Sequence, residues 1–188
     1  MKAVLISIKP KWCELIASGK KTVEVRKTKP KLETPFKCYI YCTLLGSNDF
    51  FKENCNGDIA QWNKSKMALK KGKVIGEFVC NNLTYIEAGY DTNGDKHLYN
   101  TAFIEQRMCI SDNELHEYLY KSRENCGGWA WHISNLKIYD TPKELSEFFK
   151  ACNKPSGTDC SVCVDKRDNI CQSIKRPPQS WCYVEELK

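Results

Sequence analysis

The sequence predicts an α+β fold: a small, mixed and curved β-sheet or barrel, with short helices at its corners. Segments of strand length dominate the chain, and the segments with helical spacing are short. Strands and helices do not alternate in the regular way that βαβ units require. With 188 residues, of which 41% are hydrophobic, the chain is long enough for one packed core, so we expect a single domain over residues 1–188.

The first half of the chain is predicted to be rich in strands. Residues 3–8 (AVLISI) are an apolar run of strand length. Pro10 is suited to the first position of a helix, which Gly19 would end. Residues 22–26 (TVEVR) alternate strictly, which predicts a half-buried strand with its two valines pointing inward. Two further strand-rich stretches are residues 37–45 and 73–86.

Two intervening stretches lack a strand pattern. Residues 46–72 are polar and lysine-rich, which predicts either a long excursion or one irregular helix, and no role is assigned to them. Residues 89–101 contain the pair Asn93-Gly94, so they are predicted to form a turn-rich loop.

The second half is predicted to contain two short helices and two strands. Ser111, with Glu114 three residues later, has the capping-box pattern that begins a helix. The Thr-Pro-Lys-Glu run at residues 141–144 predicts the beginning of the second helix. The predicted strands are residues 129–139 and 180–186.

The charge pattern permits a polyanionic partner without requiring one. The net charge is +6 and the isoelectric point is about 8.6, below the value of about 9 that a dedicated nucleic-acid module exceeds. The apolar run at residues 3–8 is too short for a signal sequence or for a membrane span, which needs about 20 residues. We therefore expect a soluble, cytoplasmic protein with no membrane partner.

One basic corner carries side chains suited to ligand binding or acid–base chemistry. Lys21, Glu24 and Arg26 lie where the first helix meets the next strand, with Lys9 and Lys27 close in sequence. Glu24 and Arg26 are two residues apart on one strand face, so an ion pair is feasible. A partly buried lysine can lose its charge and act as a base, and an arginine can hold a phosphate or carbonyl oxygen. The alternative is a solvated basic rim with one structural salt bridge.

A signature in this basic corner is typical of a known family. Ser-Ile-Lys-Pro at residues 7–10 is followed by I-x-x-G-x-K-x-x-E-x-R at residues 16–26. The signature and the later strands resemble those of ASCH domains, which have a PUA-like β-barrel fold. The later stretches that carry the resemblance are residues 73–78 (KVIGEF), 129–140 (WAWHISNLKIYD) and 177–186 (PPQSWCYVEE).

The resemblance implies a cleft at the mouth of the barrel that accommodates RNA or a nucleotide. One bacterial subgroup of the family hydrolyses the acetyl amide of acetylcytidine with a lysine, a threonine and a downstream glutamate. Lys21 matches the lysine, whereas the threonine position falls on Glu24 and the glutamate position falls on Met108. The basic residues expected to bind the ligand are Lys9, Lys21, Arg26 and Lys27.

Aromatic residues would support such a site. In a strand, Trp129 and Trp131 share one face, while Ala130 and His132 share the other. A tryptophan can stack on a base, and a histidine can shuttle protons near neutral pH. Trp131, His132 and Tyr41 are therefore candidate ligand-binding residues. The alternative is that the tryptophans pack in the core.

Twelve cysteines in a chain of this kind predict reduced thiols and metal binding rather than disulfides. The C-terminal part contains a C-x2-C knuckle flanked by further cysteines, which is a ligand pattern of structural zinc. Residues 152–176 contain few apolar side chains, so we expect them to need the metal to fold as a small lobe before the last strand. Cys182 is the alternative to Cys152 as fourth ligand. The predicted ligands are Cys152, Cys160, Cys163 and Cys171.

These observations leave three functions open. The one we favour is binding of RNA or a modified nucleotide by the basic corner. The second is a nucleoside amidohydrolase or a ribonuclease, with Lys21 as base, Glu24 as acid or orienting group and Arg26 as clamp on an oxyanion or phosphate. The third is a protein-interaction adaptor that uses the cysteine-rich lobe.

Overall fold

The computed structural model describes residues 1–44, 71–122, 126–151 and 173–187. In this part of the chain strands predominate and the helices are short, as predicted. No helix in these ranges is long and apolar enough to cross a membrane. The strands are β1 (Lys2–Ile8), β2 (Val23–Arg26), β3 (Phe36–Cys42), β4 (Val74–Tyr90), β5 (Lys96–Tyr99), β6 (Gly127–Lys143) and β7 (Trp181–Glu185), and the helices are α1 (Pro10–Ala17), α2 (Glu105–Met108), α3 (Asp112–Leu119) and a short 3-10 helix (Leu145–Glu147).

The chain divides into two compact units. The first comprises Met1–Glu14, Lys37–Phe78 and Leu136–Lys188, and the second comprises Leu15–Phe36 and Val79–Asn135. The long strands β4 and β6 each contribute residues to both units. In neither unit do the described strands close into a ring. A closed barrel and a single domain over the whole chain therefore stay predictions.

In the first unit, β1 lies between two partner strands, and its apolar sequence suits that position. Six of its seven residues are buried, as expected for a strand covered on both faces. It runs parallel to β3, with Val4 opposite Cys38. It runs antiparallel to β7, with Leu5 opposite Cys182. The core of this unit contains Ala3, Leu5, Tyr39, Tyr41, Val74, Phe148, Ile174 and Val184.

The second unit buries one face of an antiparallel sheet under two short helices. β2 pairs with β6, with Val25 opposite Ala130, and β4 pairs with β5. β6 also lies beside β4, where the Ala88 N–H donates to the Cys126 carbonyl at 2.6 Å. Apolar side chains of these strands pack against α2 and α3. This core contains Val23, Val25, Ile86, Ala88, Ile104, Met108, Leu115, Leu119 and Ala130.

The helix ends follow the signals in the sequence. α1 begins at Pro10, and the N–H of Gly19 donates to the Ile16 carbonyl just beyond its end, with Gly19 at a φ of +74° that glycine adopts without strain. α3 has the predicted capping box, in which Ser111 and Glu114 each accept a hydrogen bond from the other's backbone N–H.

The loop predicted for residues 89–101 is wrong in part, because this stretch forms a β-hairpin. β4 continues to Tyr90, and β5 pairs with it. The Asp91 carboxylate accepts hydrogen bonds of 2.9 Å from the N–H groups of Asn93 and Asp95, which closes a tight turn. The turn residues were therefore identified correctly, but the turn is shorter than the polar sequence suggested.

The helix predicted to begin at residues 141–144 is also wrong in part. β6 continues through this stretch to Lys143, and only a 3-10 helix follows. Pro142 is the second-last residue of β6, so it does not interrupt the hydrogen bonds in the middle of the strand. The buried side chain of Phe148 then anchors the chain after the 3-10 helix.

Candidate functional site

The pairing of β2 with β6 places charged and aromatic side chains on the sheet face opposite the core of the second unit. Glu24 lies opposite Trp131, and Arg26 lies opposite Trp129. Residues directly opposite each other in an antiparallel pair project from the same face. Because side chains alternate along a strand, this face is the one that the core residue Val25 does not share.

Lys21, Glu24 and Arg26 form an ion cluster that is largely removed from water. Lys21 and Glu24 are each 3% exposed. One oxygen of Glu24, Oε1, is 2.9 Å from Nη1 of Arg26, and the other, Oε2, is 3.5 Å from Nζ of Lys21. The Lys21 ammonium also donates to the carbonyl of Met108 at 2.5 Å. The carboxylate of Glu24 therefore lies between two cations.

Lys21 reaches Glu24 because it precedes the first residue of β2 and is not held to the alternation of that strand. Burial lowers the pKa of Lys21, and this effect is partly offset by the charge of Glu24 and reinforced by that of Arg26. A lysine in this position is easier to deprotonate than one in water. It has the character of a base, provided that a reactant can reach its nitrogen.

The short helix α2, which sequence reasoning missed, completes this cluster. It packs beside β2, where the Thr22 N–H donates to the Arg107 carbonyl at 3.1 Å. The Cys109 thiol donates to the Lys20 carbonyl at 3.4 Å. At the position that the family resemblance gives to a glutamate, Met108 buries its side chain in the core and presents only a backbone carbonyl to Lys21. This contact joins residues far apart in the sequence, and no local signal indicates it.

His132 lies on the other face of β6, opposite Val23, as the alternation predicted. Its Nε2 is 2.9 Å from the hydroxyl oxygen of Thr84. Burial, and then the charge of Arg107, lower the pKa of His132, so the neutral imidazole is favoured. These contacts place His132 away from the Glu24 face.

The two aromatic side chains predicted to contact a ligand both lie in protein interiors. Trp131 has no exposed surface, and its ring meets Phe36 edge to face with centroids 5.7 Å apart. Tyr41 is 4% exposed and belongs to the core of the first unit. Neither ring presents a face on which a base could stack in this structure. Trp131 therefore agrees with the alternative that the tryptophans pack in the core.

Trp129, two residues earlier on the same strand face, is in a different environment. It is only partly buried, and the ammonium of Lys29 lies 3.7 Å from the centroid of its ring. Tyr85 of β4, which is 42% exposed, lies 5.2 Å from Trp129 between centroids at an interplanar angle of 59°. We call Arg26, Lys29, Tyr85 and Trp129 the aromatic–basic face. The sequence indicated only part of this face, because the alternation along the strand predicted the side on which Trp129 lies. No local sequence pattern indicated Lys29 or Tyr85.

The remaining basic candidates are Lys27 in the second unit and Lys9 in the first. The Lys27 ammonium lies 5.0 Å from the ring centroid of Tyr118, and partial burial, with the charge of Lys121, lowers the pKa of Lys27. Lys9 is exposed at the end of β1 in the first unit, where its carbonyl accepts hydrogen bonds from the first turn of α1.

The predicted zinc ligands Cys152, Cys160, Cys163 and Cys171 lie outside the described residues, as does most of the lobe predicted for residues 152–176. The polar stretch at residues 46–72 is also described only at its end. Cys182 lies in β7 and packs against the core that contains Val184. Burial raises the pKa of its thiol. Zinc binding stays a prediction.

Comparisons with known proteins agree with the resemblance seen in the sequence. The family model of the ASCH domain matches residues 6–137, which is more than half of the chain. No curated protein matches the chain.

Solved structures show the same fold. The crystal structure of ASCH from Zymomonas mobilis has a TM-score of 0.56 at 17% sequence identity, and the alignment covers 98% of this chain and 88% of that one. Two mutants of that protein give TM-scores of 0.54 and 0.55 at 17% and 18% identity, with coverage of 99% and 98% of this chain and 92% and 89% of theirs. This chain belongs to the ASCH domain family.

Proposed function

We propose that this protein binds RNA or a modified nucleotide at the aromatic–basic face of its second unit. The observation that carries the proposal is the placement of Arg26 directly opposite Trp129 across two paired strands. This arrangement puts a guanidinium, which suits a phosphate oxygen, beside an aromatic ring, which suits a base. Both positions lie on regular strands, so the backbone holds the two groups in a constant relationship.

The positive charge of Arg26 and the fixed orientation of its guanidinium favour a role in binding. Its side chain is 14% exposed, and Glu24 holds its Nη1 at 2.9 Å. The carboxylate orients the guanidinium, so less side-chain freedom is lost when a ligand binds. With Lys21 protonated, the ion cluster of Lys21, Glu24 and Arg26 keeps a net positive charge, to which Lys29 adds. The face would therefore attract phosphate.

The test is the salt dependence of RNA binding. The affinity for a fluorescently labelled single-stranded RNA, measured by anisotropy, should fall with increasing salt at a slope of about −0.7 per phosphate contacted. Arg26→Gln should weaken binding and make the slope less steep by about 0.7. Lys96→Gln, at an exposed lysine of β5, is the matched control and should bind like the wild type. A flat salt response, or equal effects of the two variants, would contradict the proposal.

A second candidate function, hydrolysis of a nucleoside amide or of RNA, is favoured by the lowered pKa of Lys21. In this mechanism Lys21 would act as base, Glu24 as orienting group and Arg26 as clamp on the developing negative charge. Against it, the Lys21 nitrogen is buried and donates to a backbone carbonyl. A substrate would have to displace that contact before the base could act, which is why we favour binding.

The second candidate is tested by turnover. The protein should be assayed with acetylcytidine and with labelled RNA, alongside Lys21→Met, which keeps the length of the side chain without its charge. Loss of turnover in the variant would support hydrolysis. No turnover by the wild type, or equal turnover by both proteins, would reject it.

A further inference from the structure

We propose that Tyr85 and Trp129 form a stacking platform for unpaired bases and that Lys29 holds the adjacent phosphate, so that the ligand is single-stranded RNA rather than a duplex. This inference rests on the proposed function and names its substrate class. It assigns roles to Tyr85 and Lys29, which the signature does not include, and it places base recognition outside the Lys21–Glu24 pair.

The geometry of the platform is set by neighbouring strands. Tyr85 lies on β4 and Trp129 on β6, and their ring centroids are 5.2 Å apart. Gly127 is essential to this arrangement, because a Cβ atom at that position would overlap the hydroxyl and ring of Tyr85. The tyrosine ring therefore lies over the backbone of β6 with 42% of its surface exposed. This partly open pair of rings presents aromatic surface on which unpaired bases can stack.

Lys29 allows the platform to bind a phosphate of the RNA in addition to a base. Its ammonium lies over the Trp129 ring, 3.7 Å from the centroid. At an exposed site such a contact stabilises by a factor of only about two to five, whereas a base stacked on an aromatic ring contributes about 5- to 150-fold in affinity. A base is thus expected to replace the ammonium over the ring. The flexible lysine side chain can then move to a neighbouring phosphate.

The chemistry of the face favours an unpaired strand. In a duplex the faces of the bases are covered by their neighbours, so aromatic side chains recognise RNA mainly where bases are unstacked. Two rings on one sheet face, flanked by Lys29 and by Arg26, combine stacking surfaces with phosphate contacts. This combination is typical of proteins that bind single strands with little sequence preference.

The experiment compares a single-stranded RNA of mixed sequence with the same RNA in a duplex, using anisotropy. We expect the wild type to bind the single strand at least about tenfold more tightly than the duplex. Tyr85→Leu and Trp129→Leu should each weaken single-strand binding about 5- to 150-fold without changing the salt slope. Lys29→Gln should instead reduce the slope by about 0.7.

The second unit also contains residues suited to matched control variants. Tyr99→Leu removes a ring that is also 42% exposed but lies on β5, and it should leave the affinity unchanged. Tyr85→Phe keeps the ring and should bind like the wild type. A single strand carrying 2-aminopurine should lose fluorescence on binding the wild type and less of it on binding Tyr85→Leu. If Trp129→Leu does not fold, the Tyr85 variants decide the result.

Three outcomes would overturn the platform. These are equal affinity for single strand and duplex, equal affinity of Tyr85→Leu and the wild type, and equal losses in Tyr85→Leu and Tyr99→Leu. In each case, a slope that still depends on Arg26 would leave the proposed function standing. No measurable binding of either RNA would instead overturn the proposed function and the platform together.

Discussion

Glu24 and Arg26 form an ion pair of 2.9 Å in which the two side chains are only 4% and 14% exposed. The same carboxylate is also a counter-ion of Lys21, and Lys21 and Glu24 are buried to the same extent. Removing one partner of a buried pair leaves a desolvated charge, which costs more than the net contribution of the intact pair. Glu24 is therefore expected to matter for folding as well as for orienting Arg26.

The first prediction is that Glu24→Gln lowers the free energy of unfolding by about 3–5 kcal/mol, because two cations lose their counter-ion. Urea denaturation measures the change. Glu117→Gln is the control, since Glu117 is 70% exposed and pairs with Lys96 on the surface, where such a pair contributes below about 1 kcal/mol. Similar losses in the two variants would contradict the assignment of a buried cluster.

The second prediction concerns pH. Burial lowers the pKa of Lys21 from 10.5 in the folded protein, so the unfolded chain binds more protons between the lowered pKa and 10.5. Stability from this group therefore rises with pH across that window. The free energy of unfolding of the wild type, relative to Lys21→Met, should increase as pH approaches 10.5 from neutrality.

Urea denaturation across this pH range measures that difference. A Lys21 difference that is independent of pH, or that shrinks as pH rises, would show that the folded state does not lower the pKa of this lysine.

The third prediction separates the two tryptophans of β6. Trp131 is fully buried against Phe36, so Trp131→Ala should destabilise the protein by about 3–5 kcal/mol. Trp129→Ala should cost less than about 2 kcal/mol, because that ring is only partly buried. Thermal and urea unfolding measure both values. If Trp129→Ala were instead the more destabilising change, Trp129 would be the core residue, and its assignment to the aromatic–basic face would be wrong.

The fourth prediction concerns the close approach of β6 to its neighbours at Gly128. A Cβ atom there would lie 2.5 Å from Cδ2 of Leu119 and 2.8 Å from the backbone carbonyl oxygen of Arg26. That oxygen cannot move without disturbing the pairing of β2, so Gly128→Ala should destabilise by about 1–3 kcal/mol. Gly89→Ala is the control, since its nearest contact would be an ordinary 3.4 Å to Tyr99. Equal stability of the two variants would count against this packing.

The fifth prediction is that the purified protein contains about one equivalent of zinc, held by the cysteines of the C-terminal stretch. Elemental analysis measures the metal, and a chelator should lower the melting temperature because the lobe would lose its main support. Less than about half an equivalent, together with an unchanged melting temperature, would rule out a structural zinc.

Local patterns were sufficient for most elements of the fold. The apolar run of β1, the proline that begins α1 and the capping box at Ser111 each act over a few residues. The same holds for β7 and for the strand that carries Glu24 and Arg26. The predictions failed where distant residues decided the result, as in β6, which continues through Pro142 to Lys143 although the local sequence predicted a helix there.

The sequence by itself placed Lys21, Glu24 and Arg26 at one helix–strand corner and put Trp129 and Trp131 on one strand face, but it left open whether Lys21 meets Glu24. Only the tertiary structure decided that Trp131 is in the core while Trp129 meets Lys29 and Tyr85. The physical reason is that alternation along a strand assigns a face, whereas burial on that face depends on which distant segments cover it. The contact of Lys21 with the Met108 carbonyl has the same origin.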